Sequence, residues 1–259
     1  MNLLAATNFG DTWKEYRANI VVPMVLGATA IMETAFSSVT WIFHQLFSIF
    51  YDGKLADELA QGVVGTVSIS MTAIVVGTLS GFALAYLLRE IERRRVRGLR
   101  VATAFLLYAA LAMPAYLLIY WGGTFVFPKA DVWWVATGAL ALNLAVFIAK
   151  IAHSGFETVP RSQIEAARAA GASGLTLVVR FEIPAVWRAV GSAIAVEWAT
   201  TLKLSSLVGV IGAYDIMKVA TMSAQQSYDQ GVYLVVPLVY LILVAPILWW
   251  SEYLKSRSA

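Results

Sequence analysis

The sequence has no cysteine and little charge. The absence of cysteine excludes disulfides, thiolate catalysis and cysteine-based metal sites. Charged residues make up only 14% of the 259 residues, whereas about 25% is usual in soluble proteins. The apolar set (AVILMFWYC) reaches 59%, and the mean hydropathy is +0.71. A soluble domain of this size could not bury so many apolar side chains, so the composition excludes a soluble enzyme and a nucleic-acid-binding domain.

Several catalytic motifs are also missing. The phosphate-binding pattern G-x-x-x-x-G-K-[ST] does not occur, so we expect no ATP chemistry in this chain. The patterns H-E-x-x-H and G-x-S-x-G are absent as well, which argues against an intramembrane enzyme. The N-terminus does not show the charged stretch and adjoining apolar core of a cleavable signal peptide, so its first hydrophobic segment is expected to remain as an anchor.

Long apolar runs take the place of these motifs. A membrane-spanning helix needs about 20 mostly apolar residues. Six runs meet or approach this length: 19–51, 59–88, 101–128, 132–149, 189–212 and 230–251. They predict an all-α polytopic membrane protein with about six transmembrane helices. Pro114 and Pro237 fall inside these runs, where we expect them to kink a helix.

Basic residues are distributed unevenly between the two sides that six spans would create. Fifteen lysines and arginines fall on one side, including six arginines at 89–100, and three fall on the other. The side richer in Lys and Arg is normally cytoplasmic. We therefore expect both termini in the cytoplasm, and we interpret the arginine cluster as a topological anchor. His153, alone at the end of a span, is expected to be structural and not a metal ligand.

The loop at 153–188 is the one extramembrane segment long enough to have its own structure. Ser162 and Glu165 have the S-x-x-E spacing of a capping box, and alanines follow them. Gly171 is expected to end this helix, of about eight residues, in a left-handed conformation. Arg161–Glu165 and Glu165–Arg168 are spaced as ion pairs. The small alanine face would suit docking into a partner's groove, and Pro184 marks the return to the membrane.

These residues carry a family resemblance. The loop resembles the EAA loop of permease subunits of binding-protein-dependent ABC importers, in Glu165, Ala166, Ala167, Gly171 and the later Phe-Glu-Ile-Pro that ends at Pro184. The stretches 159–164 and 202–207 are similar to the polar amino-acid (histidine/glutamine-type) branch. The sequence departs from that branch in two places. At Leu204 the branch commonly has an acidic residue. At 111–114 the branch has Arg-Gly-Thr-Pro, of which only the last residue is kept here, as Pro114.

The resemblance implies a fold and a set of partners. It implies a type I importer-like core of five helices at 58–259, with an additional N-terminal helix within 1–57. The family's coupling loop, here 153–188, docks on a cytoplasmic ABC ATPase dimer, which binds ATP and Mg, so this chain itself needs no cofactor and is not an enzyme. A second permease subunit (the same or a different chain), an extracytoplasmic solute-binding protein and membrane lipid complete the set. The expected location is the bacterial plasma (inner) membrane.

The coupling residues implied by the resemblance are Ser162, Glu165, Ala166, Ala167, Gly171 and Pro184. For the solute path we single out Glu197, Thr200, Lys203 and Ser206. Glu197 and Lys203 are the only charges of the run 189–212, and such residues normally face a wet cavity or a partner. They also match positions of the amino-acid branch whose span lines the path. A purely structural role, with Lys203 on backbone carbonyls and Glu197 against the second permease subunit, is weighed equally.

The expected function is a permease that forms the path for a polar amino acid or a related small solute. An ABC permease for an opine, a quaternary amine or another solute is the alternative. A secondary transporter is a weaker one, because it would show matched halves and paired intramembrane charges, and neither is found.

Overall fold

Helices account for almost all of the chain that the structure describes. The computed structural model describes Ser37 and residues 53–94, 97–228 and 230–258, and no strand occurs among them. The α-helices of this part are α1 (Gly53–Arg93), α2 (Arg97–Ala112), α3 (Ala115–Trp121), α4 (Val132–Thr158), α5 (Arg161–Ala169), α6 (Gly174–Leu177), α7 (Ile183–Leu204), α8 (Ile216–Ser227) and α9 (Val235–Ser258). Shorter π-helical or 3-10 segments adjoin some of them: Gly122–Val126, Val178–Glu182, Ser205–Ile211 and Gln230–Leu234. The all-α prediction is confirmed, and the N-terminal span predicted at 19–51 lies outside the described residues.

Two aspartates determine where α4 and α8 begin. The Asp131 carboxylate accepts a hydrogen bond from the Trp133 N–H at 2.8 Å and caps α4. The Asp215 carboxylate accepts hydrogen bonds from the N–H groups of Met217 (3.3 Å) and Lys218 (3.0 Å) and caps α8. Aspartate is a favoured N-cap because it satisfies N–H groups that have no partner within the helix.

Small residues at every fourth position let α1 pack closely on α4. Ala73, Gly77, Gly81 and Ala85 are all buried. A Cβ atom added at Gly81 would lie 2.6 Å from the Cβ of Ile148, which leaves no room for a side chain. Helices in membranes associate through such small faces, because close backbone approach replaces the hydrophobic driving force that acts in water.

The helices α1 and α4 run in the same direction. The Trp133 Nε1–H, near the beginning of α4, donates a hydrogen bond at 3.3 Å to the Ser68 Oγ in the first half of α1. Near their ends, His153 Nε2 lies 3.2 Å from Glu92 Oε2. Both α1 and α4 end at the same side of the bundle, whereas α4 begins at the opposite side. The chain that leads from the end of α1 to the beginning of α4 must therefore cross the bundle once. The helices α2 and α3 make this crossing as one broken span.

The helices α7 and α9 complete the bundle. Arg89 near the end of α1 pairs with Glu182 just before α7, and the Ile216 N–H beyond α7 donates to Thr66 near the beginning of α1, so α7 runs antiparallel to α1. The Ser251 Oγ–H donates to the Ser192 carbonyl at 3.0 Å, which brings the end of α9 near the beginning of α7. We call the end that holds Arg89, α5 and the end of α9 the loop end, and the opposite end, with α8, the far end.

The count of membrane spans agrees with a five-helix core. The described residues contain four helical segments long and apolar enough to cross a membrane, Gly53–Arg93, Val132–Thr158, Val178–Ile211 and Gln230–Arg257. The pair Val101–Ala112 and Ala115–Val126, bent by 93°, makes a fifth when the two helices are counted as one broken span. Large apolar side chains such as Phe105 and Trp249 point outward, as expected for lipid-facing helices. The predicted boundary between residues 57 and 58 stays a prediction, as α1 already begins at Gly53.

Two prolines behave differently from each other. Pro114 lies at the break between α2 and α3, so the predicted kink is confirmed there. Pro237 lies in the first turn of α9, where the preceding 3-10 segment Gln230–Leu234 passes into the α-helix, and the kink predicted there stays a prediction. The proline inside α9 is Pro246.

Candidate functional site

The loop helix α5 begins two residues earlier than its sequence suggests. Pro160 adopts an extended conformation (φ −61°, ψ 131°), and its carbonyl accepts hydrogen bonds from Gln163 (3.0 Å) and Ile164 (3.4 Å). Pro160 is therefore the N-cap, and Ser162 already lies within the first turn. Because an N-cap side chain needs a non-helical backbone to reach the free N–H groups, Ser162 cannot form the predicted capping box with Glu165. That prediction is wrong.

The end of α5 follows the prediction. Gly171 has a φ of +87°. The Ala172 N–H donates to the Ala167 carbonyl at 3.0 Å, and the Gly171 N–H donates to the Arg168 carbonyl at 2.9 Å. This pair of bonds is the Schellman motif, whose left-handed residue favours glycine. The prediction that Gly171 ends the helix in a left-handed conformation is confirmed.

The helix presents one face to the bundle and another to its surroundings. Ala167 is buried, whereas Ser162, Glu165 and Ala166 are exposed. The ion pairs predicted for Glu165 do not form, since within the described residues none of the ion pairs closer than 4.0 Å includes its carboxylate. The exposed face therefore offers a carboxylate and a small side chain for contact with another molecule.

A buried ion pair holds the segment that returns from α5 to the membrane. The Arg89 Nη1–H donates to the Glu182 Oε2 at 2.6 Å, and only 3% of Glu182 is exposed. The Arg89 guanidinium also lies over the Phe156 ring, 5.1 Å from its centre. The pair thus ties the returning segment to both α1 and α4. Pro184 follows in the first turn of α7, where proline is tolerated.

Sequence reasoning missed this pair because Glu182 entered the analysis only as the second residue of the Phe-Glu-Ile-Pro stretch that ends at Pro184. The one available signal was an acidic residue at the start of an apolar span. His153, predicted to be structural, contacts Glu92 beside the same loop end. One potential ligand atom from each of Glu92, His153 and Glu157 lies within 4.8 Å of the other two.

The four residues predicted for the solute path are not brought together. Glu197 and Thr200 are half-buried, and Lys203 is exposed near the end of α7. At about 1.5 Å per residue, Lys203 lies about 32 Å along the helix from Glu182, at the far end and not in mid-membrane. Ser206 lines a separate cavity at that end. The path role of all four residues stays a prediction.

A second buried carboxylate that sequence reasoning missed lies at the far end. Asp215 lies in the sequence between the spans Val178–Ile211 and Gln230–Arg257, and it is fully buried. Burial raises the pKa of its carboxyl to about 6, against the opposing effect of the N–H groups that it caps. Beside it, the Ile216 N–H donates to the Thr66 Oγ1 at 3.1 Å. This cluster joins α8 to α1.

A helical bundle of five spans with an exposed, glycine-ended helix in the loop before its fourth span is the architecture of an importer permease. The chain belongs to the family of binding-protein-dependent transport system inner membrane components, which it matches over residues 77–259. The resemblance predicted from the loop is thereby confirmed. The protein is a multi-pass component of the inner membrane, in a family of channel-forming and not catalytic subunits.

Relatives within this family transport amino acids or opines. The chain is 30% identical over 221 residues to the octopine transport system permease protein OccM of Rhizobium meliloti, covering 77% of this chain and 89% of that one. It is 31% identical over 117 residues to the arginine transport system permease protein ArtQ of Bacillus subtilis, covering 45% of this chain and 53% of that one.

A solved structure shares the fold. The crystal structure of an amino acid ABC transporter with histidines matches with a TM-score of 0.66 at 20% identity, covering 79% of this chain and 95% of that one. At this identity the match establishes the fold alone. The family membership of the chain rests on the match over residues 77–259, and the solved transporter shows that the fold is shared.

Proposed function

We propose that this permease forms the membrane path for a polar amino acid or an opine, and that ATP hydrolysis in a separate cytoplasmic subunit drives it. An extracytoplasmic binding protein delivers the solute, and a second permease subunit, either another copy or a different chain, completes the path. ATP and Mg bind to the ATPase dimer. The octopine and arginine permeases among the relatives support this solute class.

The observation that carries the proposal is α5 itself. It is a nine-residue helix with an exposed Glu165 and Ala166, its end is set by Gly171, and the buried Arg89–Glu182 pair anchors the chain that follows it. A helix this short is marginal in isolation, so its fixed position depends on these anchors. A rigid, exposed helix can transmit the movement of a bound ATPase to the spans.

The excess of basic residues at the loop end supports a cytoplasmic position for α5. The described lysines and arginines at that end lie on α1, α2, α4, α5, α7 and α9 and in the segment Val178–Glu182, whereas four lysines lie at the far end: Lys54, Lys129, Lys203 and Lys218. The positive-inside rule then puts the loop end, and with it the C-terminus, in the cytoplasm. The N-terminus is expected there as well.

The experiment compares ATPase association and uptake in loop variants. Glu165→Ala removes the exposed charge, and Gly171→Asp puts a side chain on a left-handed residue. Both should reduce co-purification of the ATPase subunit or uptake of labelled arginine or octopine at least tenfold, while membrane insertion stays intact. Gly138→Ala is the matched control, because a Cβ at this exposed glycine of α4 meets no atom within 4 Å. Normal association and normal uptake in both loop variants would refute the proposal.

A further inference from the structure

A small cavity with polar walls lies at the far end. Its volume is about 270 Å³, and it lies between the first turn of α3, the segment Ser205–Ile211 and the first half of α8. Polar groups on its wall come from Tyr116, Ser206, Lys218 and Thr221, with the small Gly209 between them. This is enough room for the head group of a small solute but not for a whole large one.

The two hydroxyl groups of the cavity are oriented as acceptors. The Ser206 Oγ–H donates to the Lys203 carbonyl at 2.8 Å, and the Thr221 Oγ1–H donates to the Met217 carbonyl at 2.8 Å. A hydroxyl has one hydrogen and two lone pairs. Because each hydrogen is already used within the chain, both oxygens have only lone pairs to offer a solute. They therefore suit a donor such as an ammonium group.

Lys218 supplies a positive charge to the cavity, whereas the two hydroxyl oxygens supply hydrogen-bond acceptors. Its side chain is half-buried, and none of the ion pairs within 4.0 Å in the described ranges includes its Nζ. Asp215 attracts Lys218 electrostatically, but the Asp215 oxygens bond to the N–H groups at the beginning of α8 and are fully buried behind the cavity wall. Lys218 is thus the cation that an incoming carboxylate meets, and an ammonium–carboxylate hydrogen bond is among the strong ones.

We propose that this cavity is an entry subsite for the head group of an α-amino acid or an N-substituted amino acid. Lys218 Nζ binds the carboxylate, and the Ser206 Oγ and the Thr221 Oγ1 accept hydrogen bonds from the ammonium group. The inference rests on the proposed function. It also distinguishes among the solutes left open by the sequence, because a quaternary amine has no N–H to donate to the two hydroxyl oxygens.

A phosphatidylethanolamine head group has the same pair of charges, a phosphate and an ammonium, and the far end is near a membrane surface. The test must therefore separate solute from lipid. Nanodiscs of phosphatidylcholine offer no ammonium N–H, whereas nanodiscs rich in phosphatidylethanolamine do. Equal solute affinity in both lipids is expected if the cavity serves solute. Loss of solute binding in phosphatidylethanolamine alone would show that lipid fills the cavity and would overturn the proposal.

The experiment measures binding of labelled arginine and of labelled octopine to the full-length chain in phosphatidylcholine nanodiscs. At least one probe should bind, and Lys218→Met and the double variant Ser206→Ala/Thr221→Val should each weaken its binding at least tenfold. Agmatine, which is arginine without its carboxylate, should compete at least tenfold less well than arginine. Lys129→Met, an exposed cation at the same end, is the matched control and should bind as the wild type does.

Besides the lipid result, the inference would be overturned by wild-type affinity in Lys218→Met or in the double variant, by equal competition by agmatine, or by no binding of either probe. None of them would touch the proposed function. The cavity is about 34 Å from the loop end along α1, at 1.5 Å per residue between Thr66 and Arg89. ATPase association, measured in the same variants, should therefore remain normal.

Discussion

At the scale of residues, the two ends of the bundle each depend on one buried carboxylate. Glu182 at the loop end is paired with Arg89, whereas Asp215 at the far end has backbone N–H groups as its partners. The charge of Glu182 has a guanidinium partner, whereas burial penalises the charge of Asp215 more than its N–H groups and the nearby Lys218 offset. The two should therefore respond differently to neutralisation.

Asp215→Asn should stabilise the protein at neutral pH. Asparagine is also a good N-cap, so α8 keeps its beginning while the buried charge disappears. Because the pKa of Asp215 is raised to about 6 in the folded protein, folding binds the proton more tightly, and its contribution to stability falls as pH rises from about 4 through 6. The gain in thermal unfolding temperature in detergent should thus be larger at pH 7.5 than at pH 5. An equal gain, or a loss, at pH 7.5 would contradict this role.

Glu182→Gln should destabilise the protein, because it leaves the Arg89 charge buried without its partner. Breaking a buried pair from one side typically costs about 3–5 kcal/mol. The exposed pair Glu252–Lys255, at 3.9 Å, gives the control Glu252→Gln, which should change stability by less than about 1 kcal/mol. Thermal unfolding in detergent measures both variants.

The double variant Arg89→Met/Glu182→Leu should recover most of the stability lost in Glu182→Gln. Similar stability of Glu182→Gln and Glu252→Gln would refute the importance of the buried pair.

How well the sequence predicted individual residues depended on how local their partners are. The role of Gly171 was predictable because a left-handed helix end is set by residues within one turn. The cap at Ser162 was predicted wrongly, since the competing carbonyl of Pro160 is equally local but carries no side-chain signal. Glu182 and Arg89 are 93 positions apart, and no spacing rule connects them.

At the scale of elements, the close contact between α1 and α4 depends on residues with a small side chain or none. Gly81→Leu should prevent close packing, because even a Cβ would meet Ile148 at 2.6 Å and the Ala145 carbonyl at 2.9 Å. We expect a loss of at least 2 kcal/mol, on the order of the larger overpacking penalties, seen as a lower unfolding temperature. Gly138→Leu on the open face of α4 is the control and should be neutral. Equal unfolding temperatures of Gly81→Leu and Gly138→Leu would disprove the close packing of α1 on α4.

Run length and hydropathy predicted the existence of the spans better than their shape. The run 101–128 contains no charge that would reveal its 93° bend, and only Pro114 marked the position. The run 59–88 became a 41-residue helix, because polar residues at both ends continue the helical hydrogen bonding beyond the apolar part. The π-helical segment Val178–Glu182 was not predictable from spacing, and the residue at its end, Glu182, pairs with the distant Arg89.

At the scale of the whole molecule, the two ends of the bundle must be exposed on opposite sides of the membrane. The cysteine-free chain allows single cysteines at exposed positions, such as Lys129 at the far end and Ser256 at the loop end. In intact cells, a membrane-impermeant thiol reagent should label Lys129→Cys and should label Ser256→Cys only after the membrane is permeabilised. The reverse pattern would invert the topology and remove the loop from the cytoplasm.

The two proposals place contact with the ATPase at the loop end and contact with the solute at the far end, and the same helices connect the two ends. The loop end offers an exposed helix held by a buried ion pair, and the far end offers a small polar cavity next to a capped helix. The helices α1 and α7 run from one end to the other, so a displacement of α5 can reach the cavity through rigid elements. This arrangement gives the family's function a physical basis in named contacts of this chain.

The most direct test of the central claim is a cross-link from α5 to the subunit that drives transport. A single cysteine at Ala166, exposed on α5, is reacted in native membranes with a short thiol-to-amine cross-linker, and Lys129→Cys is the control. The account predicts that Ala166→Cys yields an adduct with a polypeptide whose sequence contains G-x-x-x-x-G-K-[ST], and that Lys129→Cys does not. Adducts with such a polypeptide from Lys129→Cys alone, or from neither position, would contradict it.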